Sequence, residues 1–157
     1  PSPSVSIVVP AYNAAAHLEG FAARLDDQGC TDFEVLFADD GSTDETSRVL
    51  ARLCAGDSRL RVVRHQDGGN HGVAATRNLA LAAVTGEYVW CADADDRLRP
   101  GAIGRLLAAA REHTADVVAF NAVETGADLP DQPVYRQAKA GGVLSGEVWL
   151  TQCVRQK

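Results

Sequence analysis

The sequence predicts an α/β fold, a mainly parallel sheet with helices on both faces, and three observations carry that expectation. Short, strongly apolar runs alternate with longer stretches of helical period along most of the chain. The runs are apolar nearly throughout rather than at every second residue, which suits strands covered on both faces. The residues that directly follow several of these runs are acidic or glycine-containing, and open α/β sheets carry their chemistry at those strand ends.

The elements follow in order. Val5-Ser6-Ile7-Val8-Val9 reads as a first strand, and residues 17–25 as a helix that sets Leu18, Phe21 and Leu25 on one face. A second strand is expected over 33–38, a helix over 46–53, a third strand over 60–63 and an Ala-rich helix over 73–84. Residues 87–92 give a fourth strand. Pro100 opens a helix through 112, because proline suits a first helical turn. Residues 116–120 read as a fifth strand. The stretch 124–142 then changes character, with Gly, Pro, Asp and Gln and no clear period, so irregular chain or weak β-structure is expected. A short helix over 145–154 closes the sequence. As domains, 1–123 form the core and 124–157 a following segment.

Composition narrows the function. The 157 residues fit one domain of ordinary size, and an apolar fraction of 46% with 23% charged residues is that of a soluble globular protein. A net charge of −6 with scattered Lys and Arg argues against nucleic acid as a partner, since phosphate backbones are held by clustered cations. An anionic ligand therefore needs a metal or local donors. Cys30, Cys54, Cys91 and Cys153 form no CxxC pair and lie in or near apolar segments, which predicts reduced thiols and a cytoplasmic setting. No apolar stretch reaches the roughly 18 residues of a membrane span, and the N-terminus lacks the features of a secretory signal.

The chemistry concentrates at four strand ends: Pro10-Ala11-Tyr12-Asn13, Asp39-Asp40-Gly41-Ser42-Thr43-Asp44, His65 to Gly72, and Asp93-Ala94-Asp95-Asp96. Carboxylates packed as tightly as the last group repel one another unless a cation or strong donors sit among them. In extended chain, residues two apart point the same way, so Asp93 and Asp95 can converge while Ala94 faces the other side. Hard cations take carboxylate oxygens and fill their remaining positions with water or substrate phosphates. A solvated acidic turn is the plain alternative for this group alone. In the second loop, Ser42 with Glu45 fits a capping box and Gly41 supplies the turn, but neither explains Asp39 and Asp40. Arg77, in the helix after the third loop, is either a solvated helix residue or a group that reaches the ligand. His65 and His71 read as loop hydrogen-bonders, because no partner stands at metal-ligand spacing.

Val5 to Asn13, Asp39 to Asp44, Gly72 with Thr76-Arg77-Asn78, and Gly86-Glu87-Tyr88 leading to Asp93-Ala94-Asp95-Asp96, in this order, resemble the inverting family 2 glycosyltransferases, which have the GT-A (Rossmann-like) fold. The resemblance covers nearly the whole chain. It implies a donor site for a nucleoside-diphosphate sugar, expected to be UDP-linked, and a saccharide or other hydroxyl acceptor. It sets Pro10, Ala11 and Tyr12, with Asn13 beside them, along the base and ribose, and Asp40 or Asp39 against the base. Arg77 matches an arginine near the nucleotide. Asp93 falls by the ribose and the metal, Asp95 becomes the direct ligand of Mg²⁺ or Mn²⁺, and Asp96 supports that site. Thr76 departs from the Ala that commonly precedes the Arg-Asn pair.

In that family the catalytic base is an acid well downstream of the metal motif. Glu124, Asp128, Asp131 and Glu147 lack its surrounding pattern, so the base is expected beyond Lys157 and the chain reads as the truncated donor half of a longer enzyme. The resemblance also implies cell-envelope polysaccharide synthesis from cytoplasmic donors at the inner membrane face. Two other classes are weighed. A dinucleotide-dependent oxidoreductase would need a G-x-G-x-x-G turn after the first strand, which Pro10 to Ala15 do not supply. A non-catalytic nucleotide- or carbohydrate-binding module on the same scaffold is the stronger rival.

Overall fold

Four parallel strands, β1 (Val5–Ala11), β2 (Phe33–Asp39), β3 (Leu60–Arg64) and β4 (Tyr88–Cys91), form one sheet in the order β3-β2-β1-β4. The computed structural model describes residues 2–120, 123–126 and 129–133. Val5 pairs with Phe33 on one side and Tyr88 on the other, and Val35 pairs with Leu60, so every ladder runs in parallel register. The expected parallel sheet is therefore present.

The helices connect the strands and divide between the two faces as expected. On one face, Val5, Ile7, Val9, Val35 and Phe37 pack with Leu18 and Phe21 of α1 (Ala15–Ala23) and with Val49 and Leu50 of α2 (Thr46–Gly56). Ile103 and Leu107 of α4 (Ala102–Glu112) join the same cluster. The other face carries a smaller core, in which Val8, Leu36 and Ala38 meet Ala80 of α3 (Val73–Leu81). Phe21 and Phe37 cross edge to face at 5.9 Å between ring centroids, a geometry aromatic quadrupoles favour. Buried Gln28 ties the start of α4 to the 3₁₀ turn Asp26–Gln28, donating to the Arg24 and Arg99 carbonyls and accepting from the Ile103 amide.

Three local expectations change. Helix α1 begins two residues earlier than the apolar period suggests, and α3 ends at Leu81 rather than 84. No capping box forms: α2 starts at Thr46, whose amide donates to Asp44 at 2.9 Å, while Glu45 pairs with Arg48 and the Ser42 hydroxyl accepts from the Asn13 amide. The helix begins too late for Glu45 to occupy its third position and reach back. Residues 116–120 join no ladder among the described residues, because an apolar run becomes a strand only where a neighbouring edge exchanges hydrogen bonds with it.

The chain divides into two compact units, up to Ala108 and from Ala109 onward. In the second, Val123–Gly126 (β5) and Leu129–Pro133 (β6) form an antiparallel hairpin within the stretch expected as irregular or weakly β. The helix expected over 145–154 and Cys153 lie outside the described residues.

Candidate functional site

The strand order reverses at β1: β2 and β3 extend the sheet to one side, and β4 returns to the other. Such a switch point leaves a crevice beyond the carboxyl ends of the two diverging strands. Tyr12 follows β1 and Asp93 follows β4, so both lie at that crevice, and Tyr12 is 52% exposed with its ring in solvent. Ala11 is buried and Pro10 partly so.

Asn13 takes a left-handed backbone at φ 50° and ties two loops together. Its side-chain oxygen accepts the amides of Thr43 at 2.8 Å and Asp44 at 3.3 Å. Asp44 in turn accepts from Ala15 and Thr46, at the starts of α1 and α2. Gly41, at φ 70°, packs so closely on residues 68–70 that an added Cβ would stand 2.7 Å from the Gly69 carbonyl carbon. Glycine is required there for contact as well as for the turn.

The two adjacent aspartates of this loop face different partners. Asp39 is buried and accepts the Ser42 amide at 3.1 Å, the Ser47 hydroxyl and the Arg64 guanidinium at 3.1 Å. Burial raises its pKa, but these hydrogen bonds outweigh burial and hold the carboxyl below its ordinary range. Asp40, 3% exposed, accepts the amides of His71 at 2.8 Å and Gly72 at 2.9 Å. Its pKa is also lowered, burial being overcome by those amides, the Thr76 hydroxyl and nearby His65.

His65 and His71 are hydrogen-bonders, as expected. The Nε2 atom of His65 lies 3.0 Å from the Thr76 hydroxyl, and that of His71 lies 2.9 Å from the Asp67 carboxylate. Their rings stack at 4.1 Å.

Burial alternates through the acid cluster, Ala92 and Ala94 being buried while Asp93, Asp95 and Asp96 are exposed, but the expected extended chain is not there: residues 94 and 95 form a turn. Asp96 folds the turn, its carboxylate accepting the Asp93 amide at 2.8 Å and its own amide donating to the Asp93 carbonyl at 3.0 Å. Arg77, on α3, donates to Asp93 at 2.8 Å. The Nε atom of Arg77 is buried without a hydrogen-bond partner among the described residues, and buried donors are rarely left so. The helix expectation for Arg77 thus resolves toward the strand ends.

No three carboxylate, imidazole or thiol groups among the described residues close around one point. A cation at Asp93 and Asp95 would complete its shell from outside the chain, which fits the exposed pair and the habit of Mg²⁺ to bind through one or two carboxylates plus phosphates. Thr76, which motif reading passes over, is fully buried and hydrogen-bonds to His65. Its signal was the departure from Ala before Arg77.

Comparison with known proteins points one way. Residues 6–150 match the family model described as Glycosyl transferase family 2. The chain is 32% identical over 117 residues to the glycosyltransferase GlyG of Streptococcus pneumoniae serotype 4, covering 74% of this chain and 38% of that one. It is similar to the crystal structure of S. aureus TarS residues 1–349 in complex with UDP-GlcNAc, with a TM-score of 0.66 and 29% identity, over 72% of this chain and 32% of that one. It is also similar to the mannosyltransferase PcManGT of Pyrobaculum calidifontis, solved with GDP-Man and Mn²⁺, with a TM-score of 0.61 and 30% identity, over 74% and 33% of the two chains. The chain spans about a third to two-fifths of the length of these proteins. No helix among the described residues is long and apolar enough to cross a membrane.

Proposed function

The chain belongs to glycosyl transferase family 2, and from that premise we propose that it binds a nucleoside-diphosphate sugar, UDP-linked, for transfer of the sugar to an acceptor hydroxyl with inversion. The observation that carries this reading is the Arg77–Asp93 ion pair, which joins α3 to the end of β4 beside exposed Asp95, at the sheet's switch point.

In this reading Pro10, Ala11, Tyr12 and Asn13 line the base and ribose, and the exposed Tyr12 ring supplies the flat apolar surface. Asp39 and Asp40 stand at the base end and hold the loops that wall it. Asp93 and Arg77 meet the ribose and diphosphate. Asp95, with Asp93, holds Mg²⁺ or Mn²⁺, and the ion, when bound, neutralises charge that develops on the departing diphosphate. The bond that forms joins the acceptor oxygen to the anomeric carbon as the bond to diphosphate breaks, and the acceptor's proton passes to a base that we assign to no described residue. A polysaccharide acceptor and a cytoplasmic setting at the inner membrane face complete the proposal.

Calorimetric titration of UDP with and without Mn²⁺ tests it. Mn²⁺ is expected to strengthen binding to the unchanged chain, and Asp95→Ala to abolish that gain. Metal-independent binding that ignores the substitution would overturn the role of Asp95. Binding without sugar transfer is expected of this chain under both readings, since the base is assigned to no described residue, so it does not separate the enzyme from the non-catalytic module.

A further inference from the structure

Around Asp40 the contacts close into a ring. The Asp40 carboxylate holds the His71 and Gly72 amides, the Gly72 carbonyl accepts the Thr76 amide at 3.1 Å, and the Thr76 hydroxyl meets His65 Nε2 at 3.0 Å. The His65 ring then stacks on His71, and its Nε2 lies 3.8 Å from the Asp40 carboxylate. Thr76 is fully buried and His65 partly so, so these polar groups are largely desolvated and prefer the arrangement that satisfies them. Gly72, at φ 83°, gives the chain the turn that presents both amides to Asp40 and starts α3.

The ring fixes the first turn of α3, and the residue after Thr76 is Arg77. A guanidinium on a long side chain loses several rotatable bonds' freedom when it is ordered. Its directional contact with Asp93 therefore depends on where the helix start sits, and displacements of about 1 Å at such groups are costly.

We propose that Thr76 and His65 are positioning residues for Arg77: the Thr76–His65 hydrogen bond locks the start of α3 onto Asp40, so that the guanidinium meets Asp93 and the ligand in register. The inference rests on the donor-site reading above. It assigns a role to the Thr76 hydroxyl, which an Ala at that position could not fill. Neither residue touches the ligand.

The test is a double-mutant cycle read by UDP affinity with Mn²⁺ in calorimetry, with melting temperature followed alongside. Thr76→Val, which keeps the volume and removes the hydroxyl, is expected to weaken binding about tenfold, close to the 1.4 kcal/mol that a tenfold change represents. Thr76→Ser is expected to restore affinity to within about twofold of the parent, as one retained hydroxyl should. In an Arg77→Ala background, Thr76→Val should change affinity by less than about twofold, since residues that act through one another are not additive. A second variant, His65→Phe, keeps a ring on His71 and removes Nε2. It should reproduce the Thr76→Val loss and vanish in the same background, so the inference stays testable if Thr76→Val does not fold. Equal losses with and without Arg77, or full affinity in Thr76→Val and His65→Phe, would overturn the positioning role while leaving the donor site intact. Absence of UDP binding by the unchanged chain would overturn both.

Discussion

The two ends of the sheet bury the same chemical group and use it differently. At the amino ends of the strands, Glu34 accepts the Ser6 hydroxyl at 2.7 Å, the Thr85 amide and hydroxyl at 2.8 Å each, and lies 3.4 Å from Arg61. The Ser6 hydroxyl in turn accepts the Gly86 amide, whose residue packs so tightly that an added Cβ would stand 2.7 Å from the Ser6 nitrogen. The buried Glu34 carboxylate and Ser6 hydroxyl both find partners within the chain, while Arg61 and Thr85 reach solvent. At the carboxyl ends, Asp39 and Asp40 are matched as fully, but Asp95 and Tyr12 are exposed and Arg77 keeps an unpartnered nitrogen. Satisfied polar burial marks structure; polar groups held in place but left short of partners mark a site that waits for a ligand.

The largest expected effect is collective. Glu34, Asp39 and Asp40 all have pKa values below their ordinary ones, for despite burial they accept several hydrogen bonds. A carboxyl whose folded pKa is depressed contributes stability above its unfolded value and loses it as pH falls through the folded one. Melting temperature should be nearly level from about pH 7 to about pH 5 and fall increasingly below about pH 4.5, where unfolded carboxylates begin to take up protons. A melting temperature that rose on acidification would contradict both ends at once.

Single substitutions separate the ends. Glu34→Ala should cost about 2 kcal/mol of stability, because the buried Ser6 hydroxyl and the partly buried Thr85 amide and hydroxyl lose one acceptor together. Chemical denaturation measures that loss, and a change under about 0.5 kcal/mol would show that the Glu34 cluster contributes little. Asp95→Ala should leave stability within about 0.5 kcal/mol, as exposed substitutions do, and remove about two orders of magnitude of Mn²⁺-supported UDP affinity. The smallest effect is expected from Tyr12→Ala, a loss of about 1 kcal/mol in nucleotide affinity if its ring stacks on the base, with melting temperature unchanged.

Much of this was legible in the sequence for a definite reason. The strands and the helices follow from periodicities that act over a few residues. The polar clusters do not. Glu34 meets Thr85 across 51 residues and Ser6 meets Gly86 across 80, and no local pattern marks either pair. Thr76 was visible only as an oddity, since its meaning depends on His65 in another loop. The misplaced capping box and the run at 116–120, which joins no ladder among the described residues, share one cause: local signals for a helix start or a strand are overridden by where tertiary contacts begin the element.

The strand order has a consequence for how the molecule comes into being. Ladder contacts between β1 and β2, such as Val5 with Phe33, close a loop of 28 residues, whereas those that fasten β4, such as Val5 with Tyr88, must close one of 83. Closure entropy rises with loop length, so long-range pairings are organised late. The first three strands with α1 and α2 can assemble as an early nucleus, and the Arg77–Asp93 pair cannot exist until β4 has docked on β1. On the proposed reading, the donor site is completed only when β4 docks, and a chain caught short of that step would hold most of its secondary structure without the full site.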